Sequence, residues 1–138
     1  MTTRRVFVAA ATILACLAAV PGAHAADCKD PSSQADMTAC AAQSLAKSDA
    51  ALNATYRTIM GRLKDDADTR RLLTAAQKAW IGFRDAECDF TASGARGGTA
   101  QGMIVAICKD DLTSRRVKQL DKYLHCAEGD LDCPVPAQ

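Results

Sequence analysis

Apolar residues recur at three- and four-residue steps through most of this chain, and no segment alternates with period two. From 34 to 64 the repeat runs Met37, Cys40, Ala41, Ser44, Leu45, Leu52, Tyr56, Ile59 and Leu63, with charges between. That spacing puts one stripe on a helix face. Ser33 followed by Asp36 predicts a capping-box start with Asp in the usual Glu or Gln position, and Pro31 precedes it, where no helix has begun. Asp65-Asp66-Ala67-Asp68 is a polar break. Asp68 or Thr69 can cap a second helix over about 70–91, with Leu72, Leu73, Ala76, Trp80, Phe83 and Cys88 facing inward. Ser93-Gly94-Ala95-Arg96-Gly97-Gly98 reads as a flexible loop. Thr99 can cap a third helix to about Leu124, with Met103, Ile104, Ile107, Cys108, Leu112, Leu120 and Leu124 inward. Short connections favour antiparallel neighbours. The expected fold is all-α: a disulfide-stapled up-down-up three-helix bundle with a short C-terminal tail.

The first 25 residues stand apart. Arg4 and Arg5 precede an uncharged run from Val6 to Val20, which ends in Ala23-His24-Ala25. A basic start, a short apolar stretch and a small-x-small site read as a secretory signal peptide over 1–25. A second reading makes Cys16, in Ile13-Leu14-Ala15-Cys16, a lipid-bearing first residue. The apolar residues that continue past Cys16 and the well-formed site at Ala25 count against it. The remainder divides into a helical domain over 26–125 and a tail over 126–138. Cutting after Ala25 leaves six of the seven cysteines, an even number that reads as a disulfide framework in an oxidising compartment, periplasmic or secreted. Placing each cysteine by its distance from a helix end puts Cys28, Cys40, Cys88 and Cys108 near one end of the bundle. The expected pairs are Cys28–Cys88 and Cys40–Cys108, with Cys40–Cys88 and Cys28–Cys108 as the alternative. Cys126 and Cys133 close a loop of their own.

Charge narrows the function classes. The chain has 17 Lys and Arg against 16 Asp and Glu. Without Arg4 and Arg5 the balance is −1, which gives no footing for nucleic acid or a polybasic membrane patch. No second apolar run approaches a transmembrane length. Catalysis is hard to assemble: past residue 25 there is one histidine, His125, no zinc spacing among the cysteines, and no strand or Lys-Ser/Thr around Gly94-x-x-Gly97-Gly98 to make a phosphate loop. The chain therefore reads as non-enzymatic, without metal or cofactor.

Polar residues fall on the same helical spacing. The runs are Asp49-x-x-Leu52-Asn53-x-x-Tyr56, then Gln77-x-x-Trp80-x-x-Phe83-Arg84-Asp85-x-x-Cys88, then Cys108 with Leu112-Thr113-x-x-Arg116. Counting along the helices puts Asp49, Gln77 and Arg116 at one level, which predicts an Asp49–Arg116 contact with Gln77 beside it in a structural polar network. Asn53 and Arg84 are further candidates for the network, and Trp80 for the core. With Met37-x-x-Cys40-Ala41, this ordered set resembles the LprI-type lysozyme-inhibitor family over about residues 28–124. The family's usual Gly-Gly-Ser before its third helix stands here as Gly97-Gly98-Thr99. The resemblance implies a periplasmic or cell-surface helical domain and, from the family's namesake, a lysozyme as partner.

A binding protein that plugs a lysozyme cleft would need a rigid protrusion. Two candidates stand out. The 93–98 loop carries Arg96, with Gly97 and Gly98, and an arginine suits the catalytic carboxylates of a glycosidase. The loop between Cys126 and Cys133 carries Glu128, Asp130 and Asp132, which suit a cationic lysozyme's rim. The alternative to inhibition is a structural or interaction module of the cell envelope.

Overall fold

The computed structural model describes residues 26–127 and 129–135. The expected signal peptide, Cys16 and Glu128 lie outside the described residues. Three α-helices make up the fold: α1 (Gln34–Arg62), α2 (Ala67–Thr91) and α3 (Gln101–Leu124), with a 3-10 turn at Ser93–Ala95 between the last two. Among the described residues there is no strand.

Each helix start has a local cause. Ser33 Oγ accepts the Asp36 N–H at 3.1 Å. The Asp36 carboxylate accepts the hydroxyls of Ser33 and Ser32, at 2.7 and 3.2 Å, instead of reaching back to the backbone as a full capping box would. The α2 helix starts at Ala67, earlier than the spacing predicts, because the Asp66 carboxylate accepts the Thr69 N–H at 2.9 Å. Asp66, not Asp68 or Thr69, is the cap. That N–H holds the Asp66 carboxyl below its ordinary range. Thr99 does not cap α3, whose cap position, Ala100, makes no side-chain bond. Gln101 instead folds back onto the preceding turn, where its side-chain carbonyl accepts the Gly97 N–H at 2.8 Å.

The up-down-up order holds, but the three seams differ. Helices α1 and α3 run parallel and close together. A Cβ at Gly102 would stand 3.8 Å from the Thr38 methyl, Ser44 donates to Asp110 at 2.7 Å, and Arg62 caps the end of α3 by donating to the Leu124 carbonyl at 2.9 Å. The buried residues of these helices include the small Ala41, Ser48, Ala106 and Thr113, which allow close approach. Helix α2 packs on α3 and meets α1 through longer side chains, Arg84 to Asp49 and Tyr56 to Thr74. It therefore leaves much of its expected inward stripe in solvent: Leu72 and Phe83 are exposed, and so is Ile107 on α3.

The apolar core lies toward one end. Leu52, Ile59, Leu63, Leu120 and Val135 form it, with Tyr56, Leu73, Trp80, Val117, Tyr123 and Leu124 packed around them. Val135 is 2 % exposed, so the segment expected as a tail folds back into the core. The bridge Cys126–Cys133 forms as expected and turns the chain there.

The other two bridges correct the expected pairing. They are Cys28–Cys40 and Cys88–Cys108, with Cα separations of 5.4 and 5.5 Å. Neither Cys28–Cys88 with Cys40–Cys108 nor the alternative occurs. Counting residues gives depth along an axis but not direction around it. The segment ahead of Pro31 doubles back along α1, which brings Cys28 to Cys40. The fully buried Cys88 faces α3 and Cys108.

Candidate functional site

Two places gather the candidate residues: a polar network midway along the bundle and the turn that joins α2 to α3. In the network Arg84 is the hub. Its Nη1 donates to Asp49 Oδ1 at 2.9 Å and to Thr113 Oγ1 at 3.2 Å, and its Nε donates to Asp85 Oδ1 at 3.1 Å. Lys109 Nζ reaches the same Asp85 oxygen at 3.1 Å. Burial pushes the Asp85 carboxyl up, but the hydrogen bonds from Lys109 and Arg84 outweigh it and hold the group below its ordinary value. The expected Asp49–Arg116 contact does not form. Asp49 pairs with Arg84, and Arg116 sits farther along, donating from Nε to Gln77 Oε1 at 3.1 Å and from Nη1 to Gln119 Oε1 at 2.7 Å. Level-matching placed Gln77 and Arg116 together correctly. It failed for Asp49 because α2, not α3, presents its arginine to that side of α1.

Both guanidinium groups lie over the Trp80 ring, Arg84 at 5.3 Å and Arg116 at 5.8 Å from its centroid. Trp80 is half-buried against the core, and both cations interact with its π system. Asn53 is exposed and makes no side-chain bond among the described residues, so it falls outside the network. Instead it lines an open groove of about 380 Å³ between α1 and α2, with Asp49, Tyr56, Lys78 and Arg84.

The α2–α3 connection is a built turn, which corrects its reading as a flexible loop. Ala95 N–H donates to Ala92 O, Arg96 N–H to Ser93 O, Gly98 N–H to Ala95 O and Gln101 N–H to Gly98 O. Gly97 takes φ +77°, a conformation that disfavours any side chain. Arg96, Gly97 and Gly98 are all exposed. The Cys88–Cys108 bridge ties the two helices just behind the turn. Near it, Phe90 on α2 is 73 % exposed, an aromatic that lies outside the inward stripe of α2. On α3 the exposed Ile107 joins Ile104, Glu87 and Thr91 around a shallow apolar hollow.

The family described as lysozyme inhibitor LprI matches residues 25–120. This chain belongs to that family. It is also 35 % identical over 114 residues to an uncharacterized protein of Rhizobium meliloti (strain 1021), an alignment covering 75 % of this chain and 82 % of the relative. No solved structure matches it. The LprI match ends at the Leu120 turn of α3, so the Cys126–Cys133 loop and Val135 lie outside the matched region. The family is described by inhibition and not by catalysis.

The second candidate loop is at the other end of the molecule. Asp130 and Asp132 are exposed there, and Asp130 also accepts the Ala127 N–H at 3.1 Å. Helix α3 has 24 residues and spans roughly 36 Å at 1.5 Å per residue, so the Arg96 turn and the acidic loop cannot enter one cleft together. His125 stands at the acidic end, its Nδ1 2.9 Å from the Asp121 carbonyl, with no serine or free thiol bonded to it among the described residues. No group of three His, Cys, Asp or Glu side chains among the described residues is placed to hold a metal. No helix among them is long and apolar enough to cross a membrane.

Proposed function

We propose that this LprI-family chain is an exported, periplasmic inhibitor of lysozyme-type muramidases, and that it acts by seating the Arg96 turn in the enzyme's active-site cleft. The observation that carries this reading is an exposed arginine on a hydrogen-bonded turn, backed by a disulfide that joins the helices at its base. A turn already fixed in shape loses little conformational freedom on binding. Muramidase clefts hold a pair of carboxylic acids, and a guanidinium can pair with a carboxylate through two parallel bonds. Phe90, at the same end, adds an exposed aromatic side chain of a type enriched at protein interfaces. Export is supported by Arg4, Arg5, the apolar run and the Ala25 site, and by three disulfides, which persist in oxidising compartments.

The test is a turbidity assay of peptidoglycan lysis with several lysozymes and the oxidised protein. Stoichiometric loss of activity is expected. Arg96→Ala should weaken inhibition by about 1.5–3 kcal/mol, the range for a hydrogen bond to a charged group, at unchanged melting temperature. Arg96→Lys should recover only part, since it keeps the charge but loses the fork. If the acidic loop were the plug, Cys126→Ser with Cys133→Ser would be the damaging change and Arg96→Ala would be silent. A protein that leaves every lysozyme class untouched would be an interaction module of the cell envelope instead.

A further inference from the structure

The inhibitory reading makes no use of a cavity at the opposite end from Arg96. It opens between the first turns of α2, the last turns of α3 and the returning tail, and its volume is about 390 Å³, within the usual range for small-molecule sites. Leu63, Leu73 and Val135 give it apolar walls, and Arg116 is the one charged residue that lines it. Arg116 is 8 % exposed. Its hydrogen-bond partners among the described residues are the neutral amides of Gln77 and Gln119, and none of the ion pairs among those residues includes it. Arg84 shows the contrast, with carboxylates of both Asp49 and Asp85 on its guanidinium. A desolvated cation without a counter-ion is an unfavourable arrangement that an arriving anion relieves. Burial lowers the Arg116 pKa from its usual value, the direction expected of a cation short of compensating charge.

We infer that this cavity binds a small amphiphile with an apolar body and a single carboxylate, seated with the carboxylate on Arg116. The guanidinium fork matches a planar carboxylate, and Gln119, whose carbonyl already faces Arg116, has an amide N–H group to offer the second oxygen. One lining cation favours a monoanion over a phosphate dianion. The walls exclude a polar body such as a sugar acid, which would lose its hydration without partners. The site is separate from the Arg96 turn, so it stands or falls independently of lysozyme inhibition.

Trp80 is the chain's one tryptophan, and its ring centroid lies 5.8 Å from the Arg116 guanidinium carbon, which makes its fluorescence a built-in reporter. Decanoate titrated into the oxidised protein should change that signal saturably with one site per chain. Decanol and decyl phosphate should each bind at least tenfold more weakly. Arg116→Gln should weaken decanoate binding at least tenfold. Because Arg116 also bonds within the fold, Ala76→Glu provides the second arm: Ala76 lines the cavity at an exposed helical position, and a carboxylate there should abolish binding while circular dichroism stays unchanged. Equal binding of decanol would mean a mere apolar surface and would overturn the inference. So would equal binding of decyl phosphate, a linear unsaturable response, or full decanoate affinity in Ala76→Glu.

Discussion

The two ends of this bundle are held together by different means. Where α2 meets α3 the buried side chains are small, Ala92, Ala106 and Cys88, and closure is covalent, through Cys88–Cys108 with Cys28–Cys40 alongside on α1. At the far end the closure is apolar, through Ile59, Leu63, Leu120 and Val135. A domain of this size buries a modest core, and this one concentrates that core at one end. The other end keeps small residues and a bridge, which fix the backbone of the turn carrying Arg96 without requiring large side chains beneath it. The polar network lies between, where α1 and α2 are held apart by Arg84 and Tyr56.

The largest effect expected is at the apolar end. Leu120 is fully buried, so Leu120→Ala should destabilise the protein by about 3–5 kcal/mol, read by chemical denaturation. Amide exchange should rise first in the last turns of α1 and α3 and leave the Arg96 turn protected. Removing the other closure is next. Cys88→Ser with Cys108→Ser opens a loop with a sequence separation of 20, worth about 3 kcal/mol on the chain-entropy account. Here the exchange pattern should invert, with opening around the Arg96 turn. Identical patterns for the two variants would show that the ends unfold as one unit and that the contrast has no energetic meaning.

Helix existence was legible in the sequence because a repeat of three and four residues has few other solutions. The Ser33 cap, the Cys126–Cys133 loop and the pairing of Gln77 with Arg116 were legible for similarly local reasons. What escaped was direction around each axis. Two cysteine pairs were misassigned on depth alone, and Asp49 was given to the wrong arginine. Leu72, Phe83 and Ile107 were placed inward because a periodic stripe does not say that α2 would lean on α3 and stand off α1. Val135 escaped because a short segment with prolines and a glycine carries no periodicity, so its burial is visible only once the bridge has turned it inward. The turn around Arg96 is rigid for a reason glycine content hides: its backbone groups are paired with one another and with Gln101.

The network between the ends should respond weakly. Asp49 is 41 % exposed in its pair with Arg84, and half-solvated pairs contribute little, so Asp49→Asn should lower stability by at most about 1 kcal/mol. A double-mutant cycle of Asp49→Asn with Arg84→Met should show coupling, whereas Asp49→Asn with Arg116→Met should be additive. The smallest effect concerns acid. Asp85 is pulled up by burial and more strongly down by Lys109 and Arg84, for a net lowering. A carboxyl with a depressed folded-state pKa adds stability above its unfolded value, near pH 3.9, that is lost as pH falls through the folded value. The difference in stability between the native protein and Asp85→Asn should therefore be full at pH 7 and shrink below about pH 4. At 43 % exposure it should stay under about 1 kcal/mol. A difference that grew with acid would contradict the assignment of Lys109 and Arg84 as its partners.

The place of Val135 in the core also sets an order in time. A chain that enters an oxidising compartment N-terminus first can join Cys28 to Cys40, with a sequence separation of 12, while most of it is still to come. Cys88 and Cys108 can follow once α3 has begun. The apolar core must wait for Leu120 and then Val135, which follow Cys28, Cys40, Cys88 and Cys108 in the chain. Until then Ile59 and Leu63 stay uncovered, so any nascent or truncated form stopping at the end of α3 presents a sticky apolar face that a holding chaperone would recognise, even with its early disulfides complete.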